Sequence, residues 1–204
     1  MLSLQRERGF SMVEMIVVMV IIGVLLAVAM PQASEWMRNL RVRNAAESIK
    51  SGLDLARMEA LKRNSVVGFW LVADSTSKVP TDSCALSSSS PAWVVSVSDP
   101  EGKCGTAPSL TTEPQLVQRS TASENADNLT VEALSSTGDA ATRVMFNGLG
   151  QVQTVAGTNS LQTIDVNATT GTTRRLRIVV ESGGAIRTCD RDVSAGDARV
   201  CPTL

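Results

Sequence analysis

Residues 9–34 read GFSMVEMIVVMVIIGVLLAVAMPQAS, and the last twenty of them, Met15 to Ser34, carry no charge. Twenty such residues are what an α-helix needs to cross a hydrocarbon core about 30 Å thick at a rise of about 1.5 Å per residue. The run therefore predicts a membrane-spanning helix. Arg6 and Arg8 precede it, and the excess of Lys and Arg beside a span keeps that end cytoplasmic and exports the rest. Arg38, Arg41 and Arg43 follow the run and pull against that orientation. The competing reading is a removable signal, for which Ala27-Val28-Ala29 supplies a small-x-small cleavage pattern.

Two features oppose simple removal. Glu14 lies within the apolar stretch, where a charged side chain costs about 2.5–3.5 kcal/mol on insertion scales, so it needs a partner. Helical character also continues past Pro31. Val42, Ala45, Ala46, Ile49, Leu53, Ala56 and Ala60 recur at spacings of three and four, with Arg, Lys, Glu and Asp between them. One helix from Phe10 to about Asn64 is predicted, roughly 80 Å long, with a kink expected at Pro31.

Gly9-Phe10-Ser11-Met12-Val13-Glu14, after a short basic leader and before an unbroken apolar helix, resembles the type III signal of type IV pilins and type II secretion pseudopilins. Within that group the stretch Asn39 to Phe69 is similar to the GspH/FimT/FimU family. So is Gly184 to Cys189 followed by Cys201. The resemblance covers the N-terminal third and the last thirty residues, and the middle matches no pattern. It implies a leader at 1–9, a transmembrane and filament-core helix at 10–34, an amphipathic half-helix at 35–64 and a β-rich periplasmic head at 65–204. The expected fold is α+β, type IV pilin-like, with the long helix packed on an antiparallel sheet.

The resemblance further implies that a prepilin peptidase cuts between Gly9 and Phe10 and methylates the new Phe10 amine. Glu14 then pairs with the amine of a neighbouring subunit, and Pro31 sits where many pilins have a proline. An amine and a carboxylate held in hydrocarbon are each costly alone, so pairing them sets the axial register of one helix against the next. The expected partners are other minor pilins, the major pilin, the prepilin peptidase and the inner-membrane assembly platform. The expected location is the inner membrane, single-pass with a periplasmic head, and then the filament.

After Asn64 the period changes from near 3.6 to short β-type runs separated by turn residues. The predicted strands are Val66–Val72, Trp93–Val97, Leu129–Ala133, Arg143–Phe146, Gln151–Val155, Leu161–Val166, Leu176–Val180 and Ala185–Thr188. Asn147-Gly148-Leu149-Gly150 and Ser182-Gly183-Gly184 are read as hairpin connections. Leu176, Ile178 and Val180 alternate with Arg175, Arg177 and Val179, which predicts one core face and one wet face. Asp74 to Pro91 and Asp99 to Pro114 are read as long surface loops.

Four cysteines in an exported domain point to two disulfides, for which three pairings exist. Cys84–Cys104 with Cys189–Cys201 is favoured, because the first would pin two long loops and the second a tail poor in apolar residues. A zinc site is disfavoured, since no C-x-x-C spacing is present.

Composition narrows the function. The chain has no histidine, which excludes His-based nucleophile activation and His-containing zinc sites. No phosphate loop or Gly-x-Ser-x-Gly gives the polar residues a mechanism, so no catalytic residue, cofactor or metal is assigned. The expected role is structural: a minor pilin priming or capping a type IV pilus within a tip complex, or a type II secretion pseudopilin. DNA capture is the disfavoured alternative, with Arg174, Arg175, Arg177, Arg187, Arg191 and Arg199 as candidates. The DNA-linked signature of that family is a Gly-Arg-x-Arg turn, and here Gly184-Ala185-Ile186-Arg187 lacks the first arginine.

Overall fold

The computed structural model describes residues 11–121, 128–171 and 174–202, and of residues 28–33 the backbone alone. Gly9 and Phe10 lie outside the described residues. A single helix, α1, runs from Met12 to Arg63. The chain divides into two compact units, one ending at Met37 and the other beginning at Arg38.

In the first unit every large apolar side chain of α1 from Met12 to Leu26 is exposed, from 44% at Val18 to 83% at Met12. Among the described residues no helix is long and apolar enough to cross a membrane. The apolar run read from the sequence passes through residues 28–33, where only the backbone is described.

In the second unit the same helix behaves in the opposite way. Val42, Ala45, Ala46, Ile49, Leu53, Ala56 and Ala60 are all 0–1% exposed, because their three-and-four spacing lines them along one face. Small residues let a sheet approach closely. A Cβ on Gly52 would stand 2.8 Å from the Trp93 ring and 2.9 Å from Phe69. The Trp93 indole N–H also donates to Ser48 Oγ at 2.9 Å, satisfying a polar pair inside the contact. The helix ends in a Schellman motif. Asn64 takes a left-handed φ of 47°, its N–H bonds Leu61 O at 3.3 Å, and Ser65 N–H bonds Ala60 O at 3.2 Å.

Among the described residues ten strands follow, arranged in two antiparallel sheets. They are β1 (Val67–Asp74), β2 (Cys84–Leu86), β3 (Trp93–Ser96), β4 (Leu116–Arg119), β5 (Leu129–Ser135), β6 (Arg143–Phe146), β7 (Val152–Gln153), β8 (Leu161–Ala168), β9 (Leu176–Val180) and β10 (Ile186–Asp190). The first sheet has the order β4-β3-β1-β6-β7 with β2 also on β1, and the second β10-β9-β8-β5. One core joins the helix face to Phe69, Leu71, Trp93 and Val95 of the first sheet and to Ile164, Val166 and Ile178 of the second. A smaller core on the other face of the first sheet holds Trp70, Val72, Val94 and Leu116 with the Cys84–Cys104 pair.

The structure revises several sequence expectations. β2 lies inside the segment read as a loop and pairs with the last three residues of β1. β4 was not predicted either, since Gln118 and Arg119 make half of its four residues polar. Tertiary pairing with β3 makes both its ends. The expected strand at Gln151–Val155 shortens to Val152–Gln153, and the last strand shifts to Ile186–Asp190. Val179, expected on a wet face, is fully buried. It pairs between Thr163 and Arg187, on a face where Asp165, Arg177 and Arg191 form a layer of ion pairs.

Candidate functional site

Three groups of residues were singled out from the sequence, and the structure treats each differently. Glu14 lies in the first turn of α1, where the helix dipole favours a carboxylate. Ser11 precedes the helix and Glu14 follows three residues on, the spacing of a capping box. Among the described residues neither side chain makes a hydrogen bond or ion pair, so Glu14 stands exposed between apolar neighbours. Pro31 lies within the helical backbone.

The cysteines are joined as Cys84–Cys104, with Cα atoms 6.2 Å apart, and Cys189–Cys201, at 4.9 Å. The first bridge is buried in the smaller core and ties β2 to the segment before β4. The second folds the tail back beside β10, where Asp190 and Val200 form a parallel bridge. Closing loops of this size is worth about 3 kcal/mol in the chain-entropy model.

Each of the six candidate arginines faces a carboxylate. Arg177 donates to both oxygens of Asp165 at 2.7 Å, and Arg191 Nη1 reaches the same group at 2.6 Å. Arg174 grips the buried carboxylate of Asp190 through Nε, at 2.8 Å, and through Nη2. Arg175 holds Asp192, Arg199 holds Asp197, and Arg187 reaches Glu181 at 3.2 Å. The Arg175 guanidinium pulls the Asp192 carboxyl below its ordinary value, and Arg199 holds Asp197 down to about 2. In return Asp192, Asp165 and Asp197 raise Arg175, Arg177 and Arg199 respectively. Glu132 pairs in register with Asp165, so six carboxylates meet six guanidiniums. Counterion release on phosphate binding needs net positive density, and this array supplies almost none.

Asp165 was missed by sequence reading. It sits in mid-strand at 1% exposure, and its only signal was a charge set between Ile164 and Val166. A second missed group joins two hairpin turns to the helix end. Arg57 Nε donates to Gly150 O at 3.0 Å, and Val152 N–H donates to Ser182 O at 3.0 Å. Gly184, at φ 83°, lies against Gly150 O so closely that any Cβ would overlap it. The glycine that looked like part of a binding turn is therefore a packing residue.

A groove of about 530 Å³ runs along β4, lined by Leu116, Val117, Arg119, Thr106 and Pro108 among others. Arg119 Nη1 is spent there on the carbonyls of Pro80 and Cys104. Among the described residues no group of three or more His, Cys, Asp or Glu converges to hold a metal ion.

Residues 45–184 match the family model described as Type II transport protein GspH, and residues 4–30 match the prokaryotic N-terminal methylation motif. The Pilin-like protein PilA1 of Thermus thermophilus is 39% identical over 62 residues, 30% of this chain and 38% of that protein. The match thus spans under two-fifths of that relative's length. Two crystal structures of the type IV minor pilin FimU of Pseudomonas aeruginosa (strain PAO1) align at 14% identity over 72% of this chain. They cover 86% and 90% of the FimU chains, with TM-scores of 0.45 and 0.43. Since the GspH match alone takes in more than two thirds of the residues, the chain belongs to the GspH family of type IV pilin-like minor pilins and pseudopilins, a family of structural subunits.

Proposed function

We propose that this chain is a minor pilin of a type IV pilus that primes or caps filament assembly within a tip complex of minor pilins. One observation carries the reading: thirteen large apolar side chains of α1 between Met12 and Leu26 are exposed, while the head from Arg38 onward buries a core of its own. Apolar surface on that scale is covered by lipid before assembly and by the helices of neighbouring subunits after it. Single-pass insertion in the bacterial inner membrane, with the head in the periplasm, satisfies the first state. Withdrawal by the inner-membrane assembly platform into a filament satisfies the second.

Within this reading a prepilin peptidase cuts at Gly9-Phe10, and Glu14 receives the methylated amine of the next subunit. The match of residues 4–30 to the methylation motif supports that step, as does a Glu14 carboxylate with no partner in its own chain among the described residues. Intact-mass analysis of the membrane-extracted protein should give a mature start at methylated Phe10. The Glu14→Ala variant should stay in the membrane and be depleted from sheared filaments. Normal incorporation of that variant would contradict the role given to Glu14.

A type II secretion pseudopilin is the second reading, favoured by the wording of the family description. Deleting the gene separates the two. Loss of surface filaments and motility supports the pilus, and loss of protein secretion with filaments intact supports the pseudopilus. DNA capture stays behind both, because the arginines that would carry it are paired with carboxylates. Arg187→Ala should leave DNA uptake unchanged.

A further inference from the structure

Arg41 and Arg43 are left over by everything described so far. They lie on the exported side of the apolar run, where positive charge opposes the predicted orientation. In the structure both are exposed, and neither has a carboxylate within ion-pair distance among the described residues. The six C-terminal arginines, by contrast, are all paired. Charge without an internal partner, kept where it works against topogenesis, calls for an external anion.

The surroundings narrow the anion. Arg41 and Arg43 follow Ser34 by seven and nine residues, two to two and a half turns of helix. Trp36, exposed at 62%, precedes them in sequence, and tryptophan is enriched at the headgroup level of membranes. At the start of the second unit Gly171 and Arg174 lie beside the helix. Gly171 leaves room for the Arg38 guanidinium, which a Cβ there would meet at 2.8 Å, and Arg174 N–H donates to Asn39 Oδ1 at 3.1 Å. Arg174 and Arg175 are neutralised by Asp190 and Asp192. Arg41 and Arg43 are thus the arginines at this end of the head without an ion pair among the described residues, with Glu35 and Glu47 the nearby exposed carboxylates on the same helix.

We propose that Arg41 and Arg43 form a headgroup-binding collar that holds the membrane-resident subunit against anionic phospholipid until it is withdrawn into the filament. The inference rests on the membrane reading above. Each basic residue at an anionic surface adds on the order of a fivefold preference, and two give an attachment firm enough to orient the head yet weak enough to release. A nucleic acid is the other polyanion to consider, but two arginines on one short stretch of helix neutralise too few phosphates for appreciable affinity.

The full chain, reconstituted in vesicles of phosphatidylcholine alone or with phosphatidylglycerol at about one third, tests this. Flotation with both compositions is expected and reports the anchor. After mild detergent extraction from the mixed vesicles, the ratio of phosphatidylglycerol to phosphatidylcholine retained by the protein should exceed the bulk ratio on the order of fivefold. The R41Q/R43Q variant should float equally well, melt at the same temperature and lose the enrichment. The unaltered chain should lose it too in about 0.5 M salt, where charges at a surface are screened. Arg199→Gln, at a paired position, should keep it. Failure to float with either composition would defeat the membrane reading itself. Flotation without phosphatidylglycerol enrichment, or enrichment that survives R41Q/R43Q, would defeat the collar alone. Retention of a double-stranded oligonucleotide by the chain in neutral micelles, lost in R41Q/R43Q, would assign the arginines to nucleic acid and overturn the lipid proposal.

Discussion

Residues 12–26 and residues 42–60 belong to the same helix, and their apolar side chains meet opposite fates. In the first stretch every large one is exposed, and in the second the apolar face is sealed to 0–1%. The difference lies in periodicity and not in hydrophobicity. An apolar residue at nearly every position leaves no polar face to turn toward water, so one small head could never cover it. Apolar residues at three-and-four spacing can be covered by a single sheet surface. The second stretch is matched to a single sheet surface, and the first is not.

Truncating an aliphatic side chain in each stretch should show the contrast most strongly. Leu53→Ala, at 0% exposure, should destabilise the head by about 2–5 kcal/mol. Ile21→Ala, at 53% exposure, should leave the melting of the full chain in detergent unchanged. Equal losses would mean that the first stretch is packed within its own chain, and the comparison would fail.

The head has its own contrast between buried and exposed charge. Asp165→Asn leaves Arg177 and Arg191 facing a neutral group. Removing one member of a buried pair costs up to about 5 kcal/mol, and because both guanidiniums keep some access to water the expected loss is about 3 kcal/mol. Cys201→Ser, which opens a link across twelve residues, should cost a similar or smaller amount, about 3 kcal/mol at most, under non-reducing conditions. Chemical denaturation of the full chain measures both.

Acid should act next in size. Hydroxyl and amide donors from Thr81 and Thr76 hold Asp74 far below the ordinary carboxylate range. Arg63 lowers Glu59, Arg175 lowers Asp192, and Arg199 holds Asp197 down to about 2. All four are depressed on folding, so the folded state binds fewer protons. Their contribution is complete above the unfolded carboxylate range near about pH 4 and disappears as pH falls through the folded values, about 2 for Asp197. The melting temperature should therefore drop between about pH 4 and pH 2. With no histidine in the chain it should stay flat from about pH 5 to 8. A midpoint near about pH 6 would mean that some other group is coupled to folding.

The smallest effect belongs to Arg187→Ala. Its side chain is 66% exposed and that of its partner Glu181 39%, so the stability change should lie within about 0.5 kcal/mol. A larger loss would make the arginine array cooperative from its buried end to its exposed one.

The sequence by itself determined the elements whose signal is local. The uncharged run, the three-and-four spacing from Val42 to Ala60 and the Gly-Phe junction with Glu14 all lie within a few turns of chain, so they specify helix and family without reference to the rest. The hairpin turns at Asn147–Gly150 and Ser182–Gly184 were legible for the same reason, since glycine there meets a backbone demand. Only the tertiary structure decided which strands form from weak signals. β2 and β4 exist because β1 and β3 offer them partners. It also decided the roles of charged and small residues whose partners are far away in sequence. Asp165 meets Arg191 across 26 positions, and Arg57 meets Gly150 across 93. No local pattern encodes such pairs, because the energy that selects them comes from desolvation and close packing, which arise only once the sheets have met the helix.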